Sequence, residues 1–204
     1  MKKALFLISF CFSFTLSYSQ VKFGVKSGIN FTKIADKEIE YDFKVSGIYI
    51  GGFANIPFAE KFAFQPELLY SMQGAKSDKY EITELDGGSV VITEYAKIEH
   101  KLDYINLPLM IRYNVINNLF FEFGPQLGFV VKNEVELKSA TFGNQKFEPN
   151  SNLDFGIVIG AEYEFYKGLG VTIRYNRGLT DINKNSNWSN KNSVISTGLS
   201  YRFN

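Results

Sequence analysis

The chain has 204 residues, of which 22 are Lys or Arg and 21 are Asp or Glu, so its formal net charge is +1. This balance gives no argument for nucleic acid as a partner, because nucleic-acid-binding domains carry a basic patch or stripe. The chain is 45% hydrophobic and 16% aromatic, yet beyond the first 19 residues no apolar run approaches the roughly 20 residues of a membrane-spanning helix.

The N-terminal segment has the organisation of a secretory signal peptide. Two lysines begin it, an apolar core runs from Ala4 to Leu16, and Ser17 and Ser19 are small residues at the positions that a signal peptidase reads. We therefore expect cleavage before Gln20. The signal peptide is then 1–19, and 20–204 forms one domain.

Removal of this segment changes the chemistry of the chain. It takes away two lysines, which leaves 20 basic and 21 acidic residues and a formal charge of 20 − 21 = −1. It also removes Cys11, the only cysteine. A bulky Phe10 precedes Cys11, so we do not expect lipid attachment there. The mature chain therefore has no thiol for a disulfide, for catalysis or for a metal site.

The rest of the chain alternates apolar residues with polar or small ones at period two, which is the pattern of β-strands. The pattern predicts eight strands: Val21–Phe31, Gly47–Ile56, Phe62–Met72, Ile105–Tyr113, Leu119–Val131, Leu153–Phe165, Leu169–Leu179 and Ser193–Phe203.

The last predicted strand has the length of one that crosses a bilayer at a tilt, about 9–11 residues. It ends on Phe203 with Tyr201 two places before. This ending resembles the C-terminal signal that bacterial outer-membrane barrels present to the barrel assembly machinery, which we therefore expect as a partner.

The connections between the predicted strands alternate between long and short. Short turns are predicted at Pro57–Lys61, Asn114–Asn118 and Tyr166–Gly168, and long polar connections at Thr32–Lys44 and Thr180–Asn192, the latter with the only Trp, Trp188. Two further connections keep a strand-like pattern, so we expect protruding hairpins: one spans Gln73–Lys101 and turns at Asp86–Ser89, and one turns near Gly143–Asn144. Short turns on the periplasmic side and long loops outside are the pattern of outer-membrane barrels.

Two irregularities are expected within these strands. The apolar positions are even from Val90 to Leu102 and odd from Ile105 onwards. Such a change of parity indicates an extra residue, so we expect a β-bulge near Asp103. Three prolines also fall inside strands, where each removes a backbone donor. We expect each proline to lie at a bulge, or beside a polar side chain that donates a hydrogen bond to the carbonyl oxygen left without a backbone donor. The prolines are Pro66, Pro108 and Pro125, and the candidate side chains are Gln65, Asn106 and Gln126.

The glycines decide which face of the strands points inward. Almost all strand glycines share the parity of the charged residues, with Gly52 as the exception of note. A narrow polar lumen needs gaps for long charged side chains, whereas a soluble lipocalin-like barrel is apolar inside. On the opposite parity, aromatic residues lie near both sets of connections and aliphatic ones between them, as in the girdles of a membrane barrel. We therefore predict an all-β, antiparallel up-and-down transmembrane β-barrel of about eight strands in the outer membrane; a soluble aromatic-rich sandwich is the alternative.

Three proline-bearing segments carry a family resemblance: Phe64–Ser71, Leu102–Leu109 and Phe123–Gly128. With them the chain resembles the PorT-type outer-membrane β-barrel family over essentially its whole mature length. The resemblance implies a fold and a compartment. The namesake of that family is an accessory of type IX protein secretion, but most members have no assigned role, so the resemblance implies no functional residue.

The charged residues on the lumen parity are the richest candidate site. They are Lys22, Lys26, Arg112, Arg174 and Arg202 against Glu67, Glu122, Glu162 and Glu164. One interpretation is a polar pore or proton path. The favoured interpretation is a salt-bridge network that fills the barrel, because the interior of an eight-stranded barrel is barely wider than its own side chains.

Catalysis and metal binding have little support in the sequence. Barrel hydrolases and proteases usually rely on a histidine near an acid, and the only histidine, His100, lies between two charged neighbours on a predicted hairpin arm. Asp86, Asp181 and Asn183 match no calcium-binding spacing and are explained by turns. We therefore predict no enzyme and no catalytic, cofactor-binding or metal-binding residue.

The predicted function is a structural or interaction role, as an envelope component or as a type IX secretion-associated component. The expected partners are outer-membrane lipid and lipopolysaccharide, the assembly machinery, and other envelope proteins reached through the outer hairpins, with no nucleic acid. The alternative is a narrow channel for small or apolar solutes.

Overall fold

A computed structural model describes the backbone of residues 20–35, 44–86, 89–139, 143–147, 153–180 and 191–203. Side chains are described for 20–32, 47–74, 101–134, 153–180 and 193–203. The predicted signal peptide, 1–19, and Trp188, Asp181 and Asn183 lie outside the described residues.

The described chain consists of strands joined by turns. The strands are β1 (Lys22–Ala35), β2 (Lys44–Ala59), β3 (Phe62–Asp86), β4 (Ser89–Ile116), β5 (Leu119–Ser139), β6 (Gly143–Phe147), β7 (Leu153–Tyr166), β8 (Leu169–Gly178) and β9 (Lys191–Arg202). Within the ranges given above, no helix has the length and apolar character needed to cross a membrane.

Eight of these strands close into an antiparallel barrel. Sequential neighbours pair from β1 to β5, β5 pairs with β7, and β7, β8 and β9 follow in order. The barrel closes between the first and last strands, with Gly24 opposite Arg202 and Gly28 opposite Gly198. Among the described strands, the short β6 pairs only with β5, at its outer end. The predicted eight-stranded antiparallel barrel is confirmed.

The short turns are tighter than predicted. Glu60–Lys61 joins β2 to β3, Asn117–Asn118 joins β4 to β5, and Lys167–Gly168 joins β7 to β8. Asn118, Lys167 and Gly168 all have positive φ, a conformation that suits tight hairpin turns. The flanking strands therefore extend further toward the turns than their apolar pattern indicated.

The long hairpins are strands over most of their length. β3 and β4 stay paired beyond the barrel wall as far as Asp86 opposite Ser89, with register shifts between Ser77 and Tyr80 and between Glu84 and Leu85. The predicted protruding hairpin is therefore confirmed; residues 87–88 of its turn are outside the described chain. Gly143 and Asn144 pair with Ser139 and Lys138. The predicted turn near Gly143–Asn144 is therefore wrong by a few residues, because both already belong to β6.

The predicted loop at Thr32–Lys44 also begins later than expected. β1 continues to Ala35, which pairs with Lys191 of β9. Thr32 itself pairs with Lys44 of β2 and with Val194 of β9. A polar composition did not end the strand, because ladder hydrogen bonds to two neighbouring strands stabilise it beyond its apolar part.

The predicted bulge near Asp103 exists at the right height but on the neighbouring strand. Asp103 pairs with Lys132 and Tyr104 with Val130, so the extra residue is Val131 of β5. β4 keeps one register against β3 through this level. Leu102 and Tyr104 are both buried, as are Asn106, Met110 and Arg112, so the even positions of β4 face inward from Leu102 to Arg112.

The prolines do not lie at bulges, which corrects that expectation. At Pro66 the β2–β3 ladder is interrupted between Phe53–Glu67 and Ile56–Phe64, and pairing resumes in the same register. The β3–β4 and β4–β5 ladders are interrupted in the same way beside Pro108 and Pro125. Each proline therefore costs hydrogen bonds without shifting the strand. The expected hydrogen bond from a neighbouring side-chain amide to the carbonyl oxygen that faces each proline stays a prediction.

The two faces of the wall differ as the glycine parity predicted. On β9, the side chain of Leu199 is 51% exposed and that of Ser200 is 2% exposed. The outward residues are mostly large and apolar on every barrel strand, whereas many of the buried ones are polar or charged. The polar interior and apolar exterior are those of a membrane barrel, and the soluble sandwich is excluded.

Candidate functional site in the barrel lumen

Six charged side chains from six strands meet inside the barrel and form what we call the lumen cluster. They are Lys26 of β1, Glu67 of β3, Arg112 of β4, Glu122 of β5, Glu162 of β7 and Arg174 of β8. Each side chain is at most 8% exposed. Three positive charges face three negative ones, so the cluster is neutral as a whole.

Arg174 connects opposite walls of the barrel. Its two terminal nitrogens donate to the two carboxylate oxygens of Glu67, at 2.6 and 2.8 Å. Its Nε donates to Glu122 Oε2 at 2.9 Å. A two-point pairing of this kind fixes geometry as well as charge, so Arg174 holds β3 and β5 at a defined distance from β8.

Lys26 is surrounded by carboxylates. Its Nζ lies 3.2 Å from Glu67, 3.3 Å from Glu122 and 3.0 Å from Glu162. It also lies 5.2 Å from the centre of the Phe53 ring, within the range of a cation–π contact. A fully buried ammonium is stable only with such compensation, because its desolvation is costly.

Arg112 completes the cluster on the side of the short turns. Its Nη2 donates to Glu162 Oε1 at 2.6 Å, and its Nη1 donates to Gln65 Oε1 at 3.3 Å. The Phe120 ring packs 3.7 Å from the guanidinium carbon. Its Nε lies 3.9 Å from Glu122, too far for a hydrogen bond.

The network continues to the barrel end. Arg112 Nη2 lies 3.4 Å from Glu164 Oε1, and Arg202 Nη2 donates to Glu164 Oε2 at 2.8 Å. The structure therefore brings together eight of the nine predicted lumen charges. Lys22 is the ninth; it lies at the start of β1, and no ion pair joins it to another residue whose side chain is described.

Two neutral amides belong to the site although charge patterning did not select them as members. Gln65 Nε2 donates to Glu67 at 2.8 Å and to Glu122 at 3.3 Å. Asn55 Nδ2 donates to Gln65 Oε1 at 3.1 Å. Both amides share the inward parity of their strands, and this was the signal that could have placed them here.

Tyr49 crosses the lumen next to the cluster and was also missed. Its hydroxyl lies 3.2 Å from Thr172 Oγ1 on the other side of the barrel. A Cβ at Gly28 or Gly198 would come within 2.7 Å of the Tyr49 side chain. The sequence signal is this pair of inward glycines, since facing glycines on neighbouring strands leave room for a large side chain from elsewhere.

Toward the long hairpins, the charged lumen cluster gives way to a mixture of neutral polar and apolar side chains. A cavity of about 30 Å³ lies there among polar side chains that include Asn30, Ser71 and Ser196. Asn30 donates to Ser71 at 2.9 Å and accepts from Ser196 at 2.8 Å. Such a volume suits one or two waters. Buried apolar residues lie at and above this level: Leu69, Leu102, Tyr104, Val158 and Val194.

The outer wall carries a different kind of hollow. A depression of about 620 Å³ lies between β5, β7 and β8, and Phe123, Ile159 and Ile173 line it together with Gly160 and Ala161. Most of its residues face the lipid side of the wall, whereas Glu122, Gly160 and Arg174, which also line it, belong to the inward face. Acyl chains are therefore its natural content. It offers no converging set of polar groups for catalysis.

The arrangement closes the barrel and stabilises it, and no catalytic constellation is visible in it. Within the described residues, no group of three His, Cys, Asp or Glu is placed to hold a metal ion. His100 pairs with Ala75 and Val135 on the β3–β4–β5 extension, and its side chain is outside the described set. The expectation that the protein has no enzymatic activity therefore stays a prediction.

Comparisons with known proteins agree with this geometry. A family model described as "Outer membrane protein beta-barrel domain" matches residues 12–184. No curated protein matches the chain. Among solved structures, Ail, the attachment invasion locus protein of Yersinia pestis, is 8% identical with a TM-score of 0.51, covering 92% of this chain and 100% of Ail. Neisserial surface protein A is 13% identical with a TM-score of 0.54, covering 89% and 97% respectively.

Proposed function

The chain belongs to the outer membrane protein beta-barrel domain family, and we propose that it acts as a non-conducting, non-enzymatic scaffold that presents its long hairpins at the cell surface. The protein is an outer-membrane β-barrel. Its finer role is the subject of this proposal, which covers an envelope component or a type IX secretion-associated component.

The filled lumen is the observation that carries the proposal. Lys26, Glu67 and Glu122 are fully buried at the centre of the barrel, and Tyr49 reaches across to Thr172 next to them. An ion crossing the barrel would have to displace this neutral network and separate its buried ion pairs, each of which costs several kcal/mol to break. A stable pore through this layer is therefore disfavoured.

The shape of the strands supports a role for the hairpins. β3 has 25 residues and β4 has 28, whereas β8 has 10. The segment from Gln73 to Asp86 adds about 45 Å of strand at 3.3–3.4 Å per residue. A paired extension of this length reaches beyond the membrane surface to other envelope molecules.

The level of the Val131 bulge indicates where the lipid ends. Val131 itself and Phe129 below it are exposed apolar residues. Above the bulge, Lys132 pairs with Asp103 in the ladder and lies 3.5 Å from Glu134. Charged residues on the outer face at this height favour contact with lipid headgroups and lipopolysaccharide. These lipids are the partners that we propose for the wall, and envelope proteins are those proposed for the hairpins.

Site-specific crosslinking tests the scaffold proposal. Because Cys11 lies in the predicted signal peptide, one cysteine can be introduced at Thr83 in the β3–β4 hairpin or at Asn117 in a short turn as the control. On intact cells, we expect a thiol-reactive crosslinker that does not cross membranes to give a discrete adduct with another envelope protein from Thr83 only. No adduct from Thr83, or the same adduct from Asn117, contradicts the proposal.

Conductance separates the scaffold from a channel. We expect the purified chain to give no reproducible single-channel steps in planar bilayers. A second preparation, with Lys26, Glu67 and Glu122 replaced together by Ala, is the positive control for an opened lumen. Steps from the parent chain would favour the channel for small or apolar solutes instead.

A further inference from the structure

The seam between β2 and β3 is discontinuous. Its ladder is interrupted beside Pro66 and ends at Tyr49 opposite Ser71. Beyond that pair, β2 stays paired with β1 as far as Lys44, and β3 stays paired with β4, but β2 and β3 no longer pair with each other. Among the described strands, this is the only seam of the barrel where both strands run on for several residues without pairing.

A side chain of β1 bridges the place where this ladder ends. In a continued ladder, Ile48 would lie opposite Met72. Instead, the carbonyl of Met72 accepts a hydrogen bond from Nδ2 of Asn30 at 2.8 Å, and the same amide donates to Ser71 Oγ at 2.9 Å. A Cβ at Gly47 would lie 2.5 Å from the Met72 oxygen, so this glycine leaves the space through which Asn30 reaches β3.

The seam separates a polar cavity from the membrane. The cavity of about 30 Å³ lies directly behind it, and Asn30, Tyr49 and Ser71 are among its lining residues. Such a volume suits one or two waters. On the outer side of the seam, Ile48 and Met72 are exposed apolar residues. A polar space and the acyl chains are therefore only one wall thickness apart at the place where the ladder ends.

We propose that the wall opens sideways at the β2–β3 seam and that Asn30 is the latch that holds it closed. This seam opens before the others because it lacks the hydrogen bond that Pro66 cannot donate and has no ladder at its outer end. When the bonds from Asn30 break, the polar cavity joins the outer leaflet. The lumen cluster lies on the other side of the cavity, toward the short turns, so this opening makes no transmembrane pore and does not depend on the scaffold role proposed above.

Hydrogen exchange of the full chain in lipid nanodiscs tests the seam. A backbone amide exchanges when its hydrogen bond opens and water reaches it. The amides that bond across the seam lie in residues 49–53 and 67–71. The reference amides lie in residues 157–161 and 173–177 of the uninterrupted β7–β8 ladder. We expect exchange about tenfold faster at the seam, the effect of about one lost hydrogen bond.

Matched variants identify the latch. Asn30→Ala removes both bonds to β3, and we expect it to speed exchange at the seam about tenfold further while the β7–β8 amides stay unchanged. Asn176→Ala changes the same type of residue in the lining of the same cavity, but on β8. It should leave exchange at the seam unchanged.

A crosslink separates opening of the seam from a general loss of stability. Ile50 and Tyr70 lie opposite each other across β2–β3, and Ile159 and Tyr175 form the same pair of residue types across β7–β8. Each pair is replaced by cysteines and joined with a short bifunctional thiol reagent, and exchange is compared with that of the same variant before reaction. We expect the Ile50→Cys/Tyr70→Cys crosslink to abolish the effect of Asn30→Ala, and the Ile159→Cys/Tyr175→Cys crosslink to leave it.

Heat-modifiable gel migration shows that each variant is folded. The comparison of the two seams in the parent chain needs no variant, so it tests the proposal even if Asn30→Ala does not fold. Exchange at the β2–β3 seam as slow as in the β7–β8 ladder overturns the proposal. Equal effects of Asn30→Ala and Asn176→Ala, or of the two crosslinks, overturn it as well.

Discussion

Arg174 on β8 makes a two-point ion pair with Glu67 on β3, 107 residues away in the chain. In the closed order of eight strands, β3 and β8 are diametrically opposite. Lys26 on β1 and Glu122 on β5, joined at 3.3 Å, are opposite as well. The two pairs span the lumen in different directions, so the cluster ties together walls that share no ladder hydrogen bonds.

The first prediction concerns the loss of one partner from this cluster. Glu122→Leu leaves Arg174 and Lys26 with fewer carboxylates in a fully buried site. Breaking a buried pair in this way costs about 3–5 kcal/mol. We expect a lower urea midpoint in lipid vesicles for Glu122→Leu than for the parent. Phe123→Leu, a change on the 59% exposed outer side of the same strand, is the control; equal midpoints for the Glu122 variant and the parent would show that the cluster does not hold the barrel together.

The residues of this cluster could be predicted from the sequence, but their partners could not. Period two assigns Glu122 and Arg174 to the inner face, because a residue's face depends only on its own strand. Which inward residues lie at the same height depends on the stagger between strands around the closed barrel, and the pattern of one strand contains no information about it. The same limit hid Tyr49, whose contact, Thr172, lies on β8, three strands away from β2 around the barrel.

The misplaced bulge has a related physical cause. The parity argument assumed that apolar residues face outward along all of β4. Leu102, 1% exposed, lies at the level where Lys132 and Glu134 replace apolar residues on the outer face of the wall. There, apolar side chains are more stable inside the barrel, so the apolar parity reverses while the strand continues. A reversal of environment and an extra residue give the same sequence pattern.

The second prediction compares two adjacent glycines of β2. A Cβ at Gly51 would clash with the carbonyl oxygen of Leu68 and lie 2.7 Å from the Cα of Leu69, both backbone atoms that cannot move aside. At Gly52, the nearest atom would be 3.5 Å away. Gly51→Ala should therefore destabilise the barrel by about 1–3 kcal/mol, and Gly52→Ala should be near neutral. Urea unfolding of both variants checks this; the reverse order would mean that β2 is assigned to the wrong faces.

The third prediction concerns the orientation of the last strand. Leu199→Arg places a charge on the lipid face near the middle of β9, which costs about 2–4 kcal/mol. We expect less heat-modifiable barrel in the outer membrane for this variant. Ser200→Arg, the same change at the neighbouring inward position, is not a usable control. Ser200 is 2% exposed and pairs with Lys26 in the ladder, so an arginine has no room there. Ser200→Ala is the suitable control, because Ser200 Oγ has no hydrogen-bond partner among the described residues; normal assembly of Leu199→Arg would contradict the lipid-facing assignment.

The last prediction tests the same two faces by their access to a quencher dissolved in the lipid, without changing a charge. Ile195 lies on the outward parity of β9 and lines the hollow of the lipid face, whereas Ser196 donates a hydrogen bond to Asn30 Oδ1 inside the lumen at 2.8 Å. A fluorophore attached through a cysteine at position 195 should be quenched by a lipid-dissolved nitroxide. The same label at position 196 should not be, because a closed wall separates it from the acyl chains. Both labelled chains must first show heat-modifiable migration, so that access is measured in a folded barrel. Equal quenching at the two positions would mean that the alternation of this strand does not separate lipid from lumen.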